Sequence, residues 1–205
     1  MGMSTDEMQT ALQELLDRNA IKDCIHRYCR GADRLDRAMM LSAYHPDGID
    51  EHGKFVGTAE EFVDWALKAH TETHLSTQHY VSNHRCDVEG DAAHSETYFM
   101  FVAMNQRGKV LQMNGGRYVD RFERRDGRWG IAYRICLRDW ANMDERPDMN
   151  DRSSFTSTRA FMPDAVRQFM NSGPASRRDA SDPSYARPLL ADPARLAAGR
   201  LFKTQ

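Results

Sequence analysis

Apolar side chains recur at steps of three and four through residue 70, and the period shortens to two after residue 73. Ser4-Thr5-Asp6-Glu7 has the form of a capping box, a serine that caps a first turn with a glutamate three residues on. Behind it Met8, Leu12, Leu15 and Leu16 mark one helical stripe, continued by Ile21, Cys24, Ile25 and Tyr28. Gly31 permits a stop or bend, and residues 36–44 read as a third short helix. His45-Pro46-Asp47-Gly48 reads as a turn. Thr58-Ala59-Glu60-Glu61 repeats the capping-box form ahead of Phe62, Val63, Trp65, Ala66 and Ala69. The first 70 residues are therefore expected to be mostly helical.

Strand signals follow. Residues 78–88 have strand composition, Glu89-Gly90-Asp91 is a turn, and residues 92–105 form a long strand. Gln106-Arg107-Gly108-Lys109 turns into residues 110–124, and Arg125-Asp126-Gly127-Arg128 makes a tight hairpin. In the last strand Trp129, Ile131, Tyr133, Ile135 and Leu137 are expected to share one face. Helices followed by antiparallel strands make an α+β plan.

The last stretch differs in kind. Residues 151–205 hold nine Lys/Arg and five Asp, a net of +4 in a chain of 205 residues whose total is -2, together with five of its seven prolines. Pro163-Asp164 can start a helix through Met170, closed near Gly173, and Asp192-Pro193 suits the start of another. Phe155, Phe161, Phe169, Leu189, Leu190 and Phe202 are too many large apolar groups for a linker. The chain is accordingly divided into residues 1–145, a catalytic unit, and 146–205, a Pro/Arg-rich extension acting as a lid or a subunit-wrapping arm.

The small net charge argues against nucleic acid or an anionic membrane as a partner. The acidic start is no signal peptide, and no apolar run approaches the ~20 residues of a membrane helix. Four cysteines without CxxC spacing imply free thiols and a cytoplasmic protein.

His94-Ser95-Glu96 with a distant histidine is compatible with a two-His-one-carboxylate site, but HxE is common by chance and zinc spacing is lacking. No metal or other cofactor is expected. There is no G-x-S-x-G elbow, and Asn114-Gly115-Gly116-Arg117 is neither a phosphate loop nor a dinucleotide fingerprint. Acid–base chemistry by Asp and His remains. A carboxylate bonded to an imidazole fixes its tautomer and stabilises its protonated form. Residue type alone leaves open that Asp33 caps a helix and that His79 is a surface or core histidine. His26, His70 and His84 are assigned to structure or surface.

Arg30-Gly31-Ala32-Asp33-Arg34, Thr77-Gln78-His79-Tyr80-Val81-Ser82-Asn83 and Gly115-Gly116-Arg117-Tyr118 through Glu123-Arg124-Arg125-Asp126-Gly127-Arg128-Trp129 occur in order on matching elements. Over about residues 8–140 the chain resembles the SnoaL-like branch of the nuclear transport factor 2-like superfamily, with its scytalone dehydratase, hexachlorocyclohexane dehydrochlorinase and bile-acid 7α-dehydratase members. The resemblance implies a cone-shaped curved sheet wrapped by helices, cofactor-independent elimination on a compact apolar or aromatic hydroxylated substrate, and a homotrimer. It implies Asp33 and His79 as the catalytic pair, with Tyr28 and Arg134 beside the leaving oxygen or the developing anion. His94 is the nearest counterpart of a second family histidine, and Tyr44, Tyr98 and Asn83 are expected to join it in contacting substrate. Loss of water makes a dehydratase. Release of formaldehyde makes an aromatic lyase of the diarylpropane type. The alternatives are a polyketide cyclase or isomerase, and a non-catalytic binding or protein-interaction module.

Overall fold

The computed structural model describes residues 2–106, 111–142, 163–175, 177 and 179–199. The helical half contains α1 (Thr5–Arg34), α2 (Arg37–Leu41) and α3 (Ala59–Thr73), with β1 (Tyr44–His52) and β2 (Phe55–Thr58) between the last two. Four long strands follow: β3 (His74–Glu89), β4 (Ala92–Asn105), β5 (Leu111–Arg125) and β6 (Arg128–Asn142). The described end of the chain carries α4 (Asp164–Asn171), a 3-10 turn at Pro183–Tyr185, and α5 (Pro193–Gly199). The six strands form one curved sheet in the order β2-β1-β6-β5-β4-β3, with β1 and β6 parallel and every other pair antiparallel. This is the expected α+β architecture.

Both capping boxes form, at Ser4 with Glu7 and at Thr58 with Glu61. Gly31 does not end its helix. A side chain there would overlap the backbone of Met40, so glycine is what lets α2 lie directly on α1. The helix stops at Leu35, which takes a left-handed φ of 54° while the Asp36 amide bonds back to the Gly31 carbonyl at 2.8 Å. Only the second apolar stripe of α1 is buried. Ile21, Cys24, Ile25 and Tyr28 pack with Phe62, Phe99, Phe122 and Ile131 on the concave side of the sheet. Met8, Leu12, Leu15 and Leu16 are exposed.

The expected turn at His45–Gly48 lies inside β1, where the pairing with β6 shifts between Tyr44 and Ile49. β1 hides from periodicity because both its faces are buried around charge: Asp50 and Glu51 are adjacent and each is buried. The single apolar face expected along β6 is also split. Arg121 pairs with Tyr133 but Phe122 pairs with Ile131, so Ala132 is an extra residue, a β-bulge. Trp129 and Ile131 join the concave core, whereas Tyr133, Ile135 and Leu137 form a second cluster with Val119 and Leu189 on the other face.

The C-terminal segment covers that second cluster. Arg117 on β5 holds Asp182 through two hydrogen bonds of 3.1 and 2.9 Å. The Leu189 amide donates to His94 Nε2 at 3.2 Å and its carbonyl accepts from Arg121 at 2.9 Å. Arg195 binds Glu51, which also accepts from the Tyr133 hydroxyl, and lies 4.1 Å from the buried Phe169 ring. The described part of the extension thus lies on the convex face, away from α1 and α3, and not over the concave side as a lid. Phe155, Phe161 and Phe202 lie outside the described residues. No described helix is long and apolar enough to cross a membrane.

Burial opposes ionisation of Asp182, but the Arg117 guanidinium and the Arg177 and Ser184 amides outweigh it and hold the carboxyl below its ordinary value of 3.8. A depressed folded-state value means that this stabilisation is complete above about pH 4 and is lost as pH falls further. Protection of the amides of residues 179–199 against hydrogen exchange, taken relative to their intrinsic rates at each pH, is therefore expected to fall below that pH. Asp182→Asn should produce the same loosening at neutral pH, with a loss of ~1.5–3 kcal/mol of docking energy, the worth of hydrogen bonds to a charged group. The loss is no larger because Arg117 keeps Glu96 and Asp139 at 3.4 Å.

Candidate active site

The end of α1 is a poor place for a carboxylate, since the helix dipole is negative there. Asp33 nevertheless sits in the last turn, and three donors from β3 surround it. Thr77 Oγ1 donates to Oδ1 at 3.0 Å, the His79 amide to Oδ2 at 2.8 Å, and His79 Nδ1 to Oδ1 at 2.7 Å. Thr77 and His79 are two residues apart on one strand, so alternation aims both at the helix end. Burial raises the carboxyl, and the His79 and Thr77 hydrogen bonds more than reverse this, so Asp33 is ionised at neutral pH. With Nδ1 committed to Asp33, Nε2 is the basic atom of His79. The two side chains are 12% and 7% exposed, dry enough for the contact to be strong.

Aromatic groups frame the imidazole. Phe101, directly across from His79 on β4, lies 4.8 Å from it between ring centres, and Tyr28 lies 6.2 Å away edge-on. Tyr28 in turn stacks on Phe62 and meets Tyr44 and Tyr118 edge-on. Burial and the Asp50 charge push the Tyr28 phenol well up, so it is a hydrogen-bond donor at neutral pH.

Behind Tyr28 lies Arg134, fully buried and clamped by the equally buried Asp120 at 2.7 and 2.8 Å. Its guanidinium is 4.3 Å from the Tyr28 ring and 4.2 Å from the Tyr118 ring. Burial opposes its charge, and Asp120 more than restores it. Nη1 is a buried donor without a hydrogen-bond partner among the described residues. Tyr44 is also in this cluster, its hydroxyl donating to Asp50 at 2.6 Å.

The structure thus brings Asp33, His79, Tyr28, Arg134 and Tyr44 together. The other three expected contacts lie elsewhere. On β4 the odd-numbered residues 93–101 face the concave core, so His94 and Tyr98 face the convex side. There His94 meets Leu189, and Tyr98 lines a cavity of about 860 Å³ with Arg117, Leu137 and the segment around Met170. Asn83 is exposed, at a bulge where β3 gains one residue over β4 between Val81 and His84. Glu96, the carboxylate of the HxE pattern, faces the same side as His94, 3.4 Å from Arg117.

Two neighbours escaped the sequence reading. His70, in the last turn of α3, lies 6.2 Å from the His79 ring and 3.1 Å from His74, nitrogen to nitrogen. Burial, with the His79 and His74 charges, pushes it down to about 3, so it is neutral. Asp120 is the other, and its signal is the alternation of β5, which puts it on the same face as Tyr118.

Residues 13–135 match a family model described as a SnoaL-like domain. No curated protein matches the chain in sequence. Among solved structures, a hexachlorocyclohexane dehydrochlorinase of type 2 is 21% identical with a TM-score of 0.61, over 64% of this chain and 91% of that one. A scytalone dehydratase-like protein from Novosphingobium aromaticivorans is 18% identical with a TM-score of 0.58, over 63% and 88%. A Mycobacterium tuberculosis protein of unknown function is 20% identical with a TM-score of 0.58, over 77% and 93%. At these identities the likeness is one of fold.

The ion pair behind the site has a measurable cost of disruption. Arg134→Met strands Asp120 in the core and is expected to lower stability by ~3–5 kcal/mol in denaturant titration. Pairing it with Asp120→Leu should restore much of that loss, because neither charge of the pair is then left unpaired in the core.

Proposed function

The chain belongs to the SnoaL-like domain family, and from that footing we propose that it is a lyase working by acid–base elimination on a compact, apolar or aromatic hydroxylated substrate. The observation that carries the reading is the Asp33–His79 pair, an oriented imidazole with its basic nitrogen turned away from the carboxylate. Elimination is also the chemistry in the names of two fold neighbours, a dehydrochlorinase and a scytalone dehydratase-like protein.

In this mechanism His79 Nε2 removes a proton from carbon beside an activating group, or from a hydroxyl. Asp33 holds the ring and stabilises its charged form. The Tyr28 hydroxyl donates to the departing oxygen. Arg134 supplies positive charge behind Tyr28 and a free N–H, in a setting where fixed donors act strongly. When a proton leaves carbon, the hydroxyl departs as water. When a terminal hydroxyl is ionised while a neighbouring hydroxyl departs, the carbon–carbon bond breaks and formaldehyde is released. No cofactor enters either route.

A homo-oligomer, with three copies favoured, completes the reading, and the exposed stripe of Met8, Leu12, Leu15 and Leu16 supports it. Four free cysteines fit a reducing compartment such as the cytoplasm.

A screen of aryl β-hydroxy ketones and diaryl 1,3-diols, read by mass spectrometry for loss of water or formaldehyde, tests the activity. His79→Ala is expected to lower kcat by ~10²–10⁴-fold, as loss of a general base does. Asp33→Asn should fall in the same direction without loss of fold by circular dichroism. Near-normal turnover by both variants would overturn the pair as the catalytic unit.

A further inference from the structure

A second His–Asp pair stands on the same concave face, and the proposed elimination does not use it. In the parallel pairing of β1 with β6, Asp50 lies opposite Arg134 and His52 opposite Cys136. Positions in register on neighbouring strands share a face and sit ~5 Å apart. His52 stacks on Phe62 of α3 with 5.0 Å between ring centres, and Cys136 packs against the concave core, so that face is the one α1 and α3 cover. Phe62 stacks on Tyr28 at 6.3 Å, and Tyr28 meets His79 at 6.2 Å, so a continuous run of rings joins the two histidines.

The groups are arranged in the order thiol, imidazole, carboxylate. Cys136 stands beside His52 in the β1–β6 register, their side chains on one face. His52 Nδ1 lies 3.3 Å from Asp50 Oδ1, facing it as an ion pair, since neither atom makes a hydrogen bond of good geometry. Asp50 is fully buried and is fixed by the Tyr44 hydroxyl on its other oxygen. A nucleophile beside a base that a third group faces is the arrangement that activates cysteine.

Burial works against a charged His52, but the adjoining Cys136 and Asp50 outweigh it and lift the imidazole to about 10. The other titratable groups facing the pair are His70 of α3, Tyr28 of α1, Tyr44 of β1 and Tyr118 of β5, all neutral at pH 7, and Asp120 of β5, which is paired with Arg134. Arg134 adds positive charge two residues along the same strand face. The remaining cysteines differ. Cys24, Cys29 and Cys86 are buried, and burial pushes their thiols up, Cys29 to about 12 and Cys86 to about 11. Cys136 is partly exposed, and the His52 side chain is 25% exposed.

We infer that Cys136, His52 and Asp50 form a nucleophilic thiol site that adds to activated alkenes, namely α,β-unsaturated carbonyl compounds. The thiol–imidazole–carboxylate site stands on its own geometry. The alkene class rests on the proposed elimination, because loss of water beside a carbonyl group leaves a conjugated alkene on this face. In the step, the thiol proton resides on His52 and the thiolate sulfur bonds to the β-carbon. The carbon–carbon π bond breaks, its electrons pass to the carbonyl as an enolate, and His52 returns the proton to the α-carbon. No oxidant or further reactant is needed.

The test is reaction of the full chain with N-ethylmaleimide, an activated alkene, followed by peptide mass spectrometry at pH 5.5–8. Cys136 is expected to be labelled first, at a rate that changes less than threefold across this range. A thiol without a paired imidazole slows about tenfold per pH unit below its ordinary value, because the thiolate is the reactive form. His52→Gln should restore that steep dependence and slow labelling at pH 6 by at least tenfold. A steep profile in the native chain, or labelling of Cys136 no faster than of the buried cysteines, overturns the proposal without requiring any variant to fold. Labelling is read independently of turnover. A reactive Cys136 in a protein with no lyase activity, and a lyase whose Cys136 is inert, are therefore distinguishable results.

Discussion

One unpaired residue in β6 decides what each face of the sheet contains. Up to Ile131 the odd-numbered positions point to the concave side, where α1 and α3 supply an apolar core. Ala132 then adds a step, and from Tyr133 to Leu137 the odd positions point to the convex side. Arg134 and Cys136 thereby enter the concave side, one as the charge behind Tyr28 and the other as a thiol beside His52. Tyr133, Ile135 and Leu137 are left on a face that would otherwise meet water. Without the bulge Arg134 would turn to the other face and leave Asp120 buried beneath the site without its guanidinium.

That arrangement explains why the C-terminal segment docks where it does. Leu189 fills the apolar patch, a burial worth ~1.5–3 kcal/mol for such a side chain. Its amide and carbonyl are claimed by His94 and Arg121, so backbone groups that would be costly to leave unpaired are satisfied. The residues that bind the segment are those that alternation turned outward, His94 among them. A histidine expected to touch substrate is instead a backbone acceptor in a docking surface.

The strands β3 to β6 were legible because their alternation is bounded by turn residues, and β4 was read to its ends. Both capping boxes were legible for the same local reason. β1 was not, since its buried faces carry Asp50 and Glu51 and so do not look apolar. Overlooking β1 concealed the spacing of Asp50 and His52, which on a strand means a shared face. Tyr28, Asp33, His79 and Arg134 were reached through resemblance, and the structure shows what resemblance cannot: the donors that hold Asp33 and the carboxylate that holds Arg134. Bulges account for the rest. Each shifts the parity of a strand by one, an effect absent from the periodicity of any single segment, and this is why Asn83 and the far half of β6 were misplaced.

The contact between Asp33 and β3 also bears on how the chain assembles. A carboxylate at a helix terminus of the wrong sign is unfavourable until Thr77 and His79 arrive together. A slip of β3 by a single residue would turn both side chains to the opposite face and leave the carboxylate bare. The same three hydrogen bonds that orient the imidazole therefore act as proofreading of strand registry, penalising a mispaired sheet before the protein is complete.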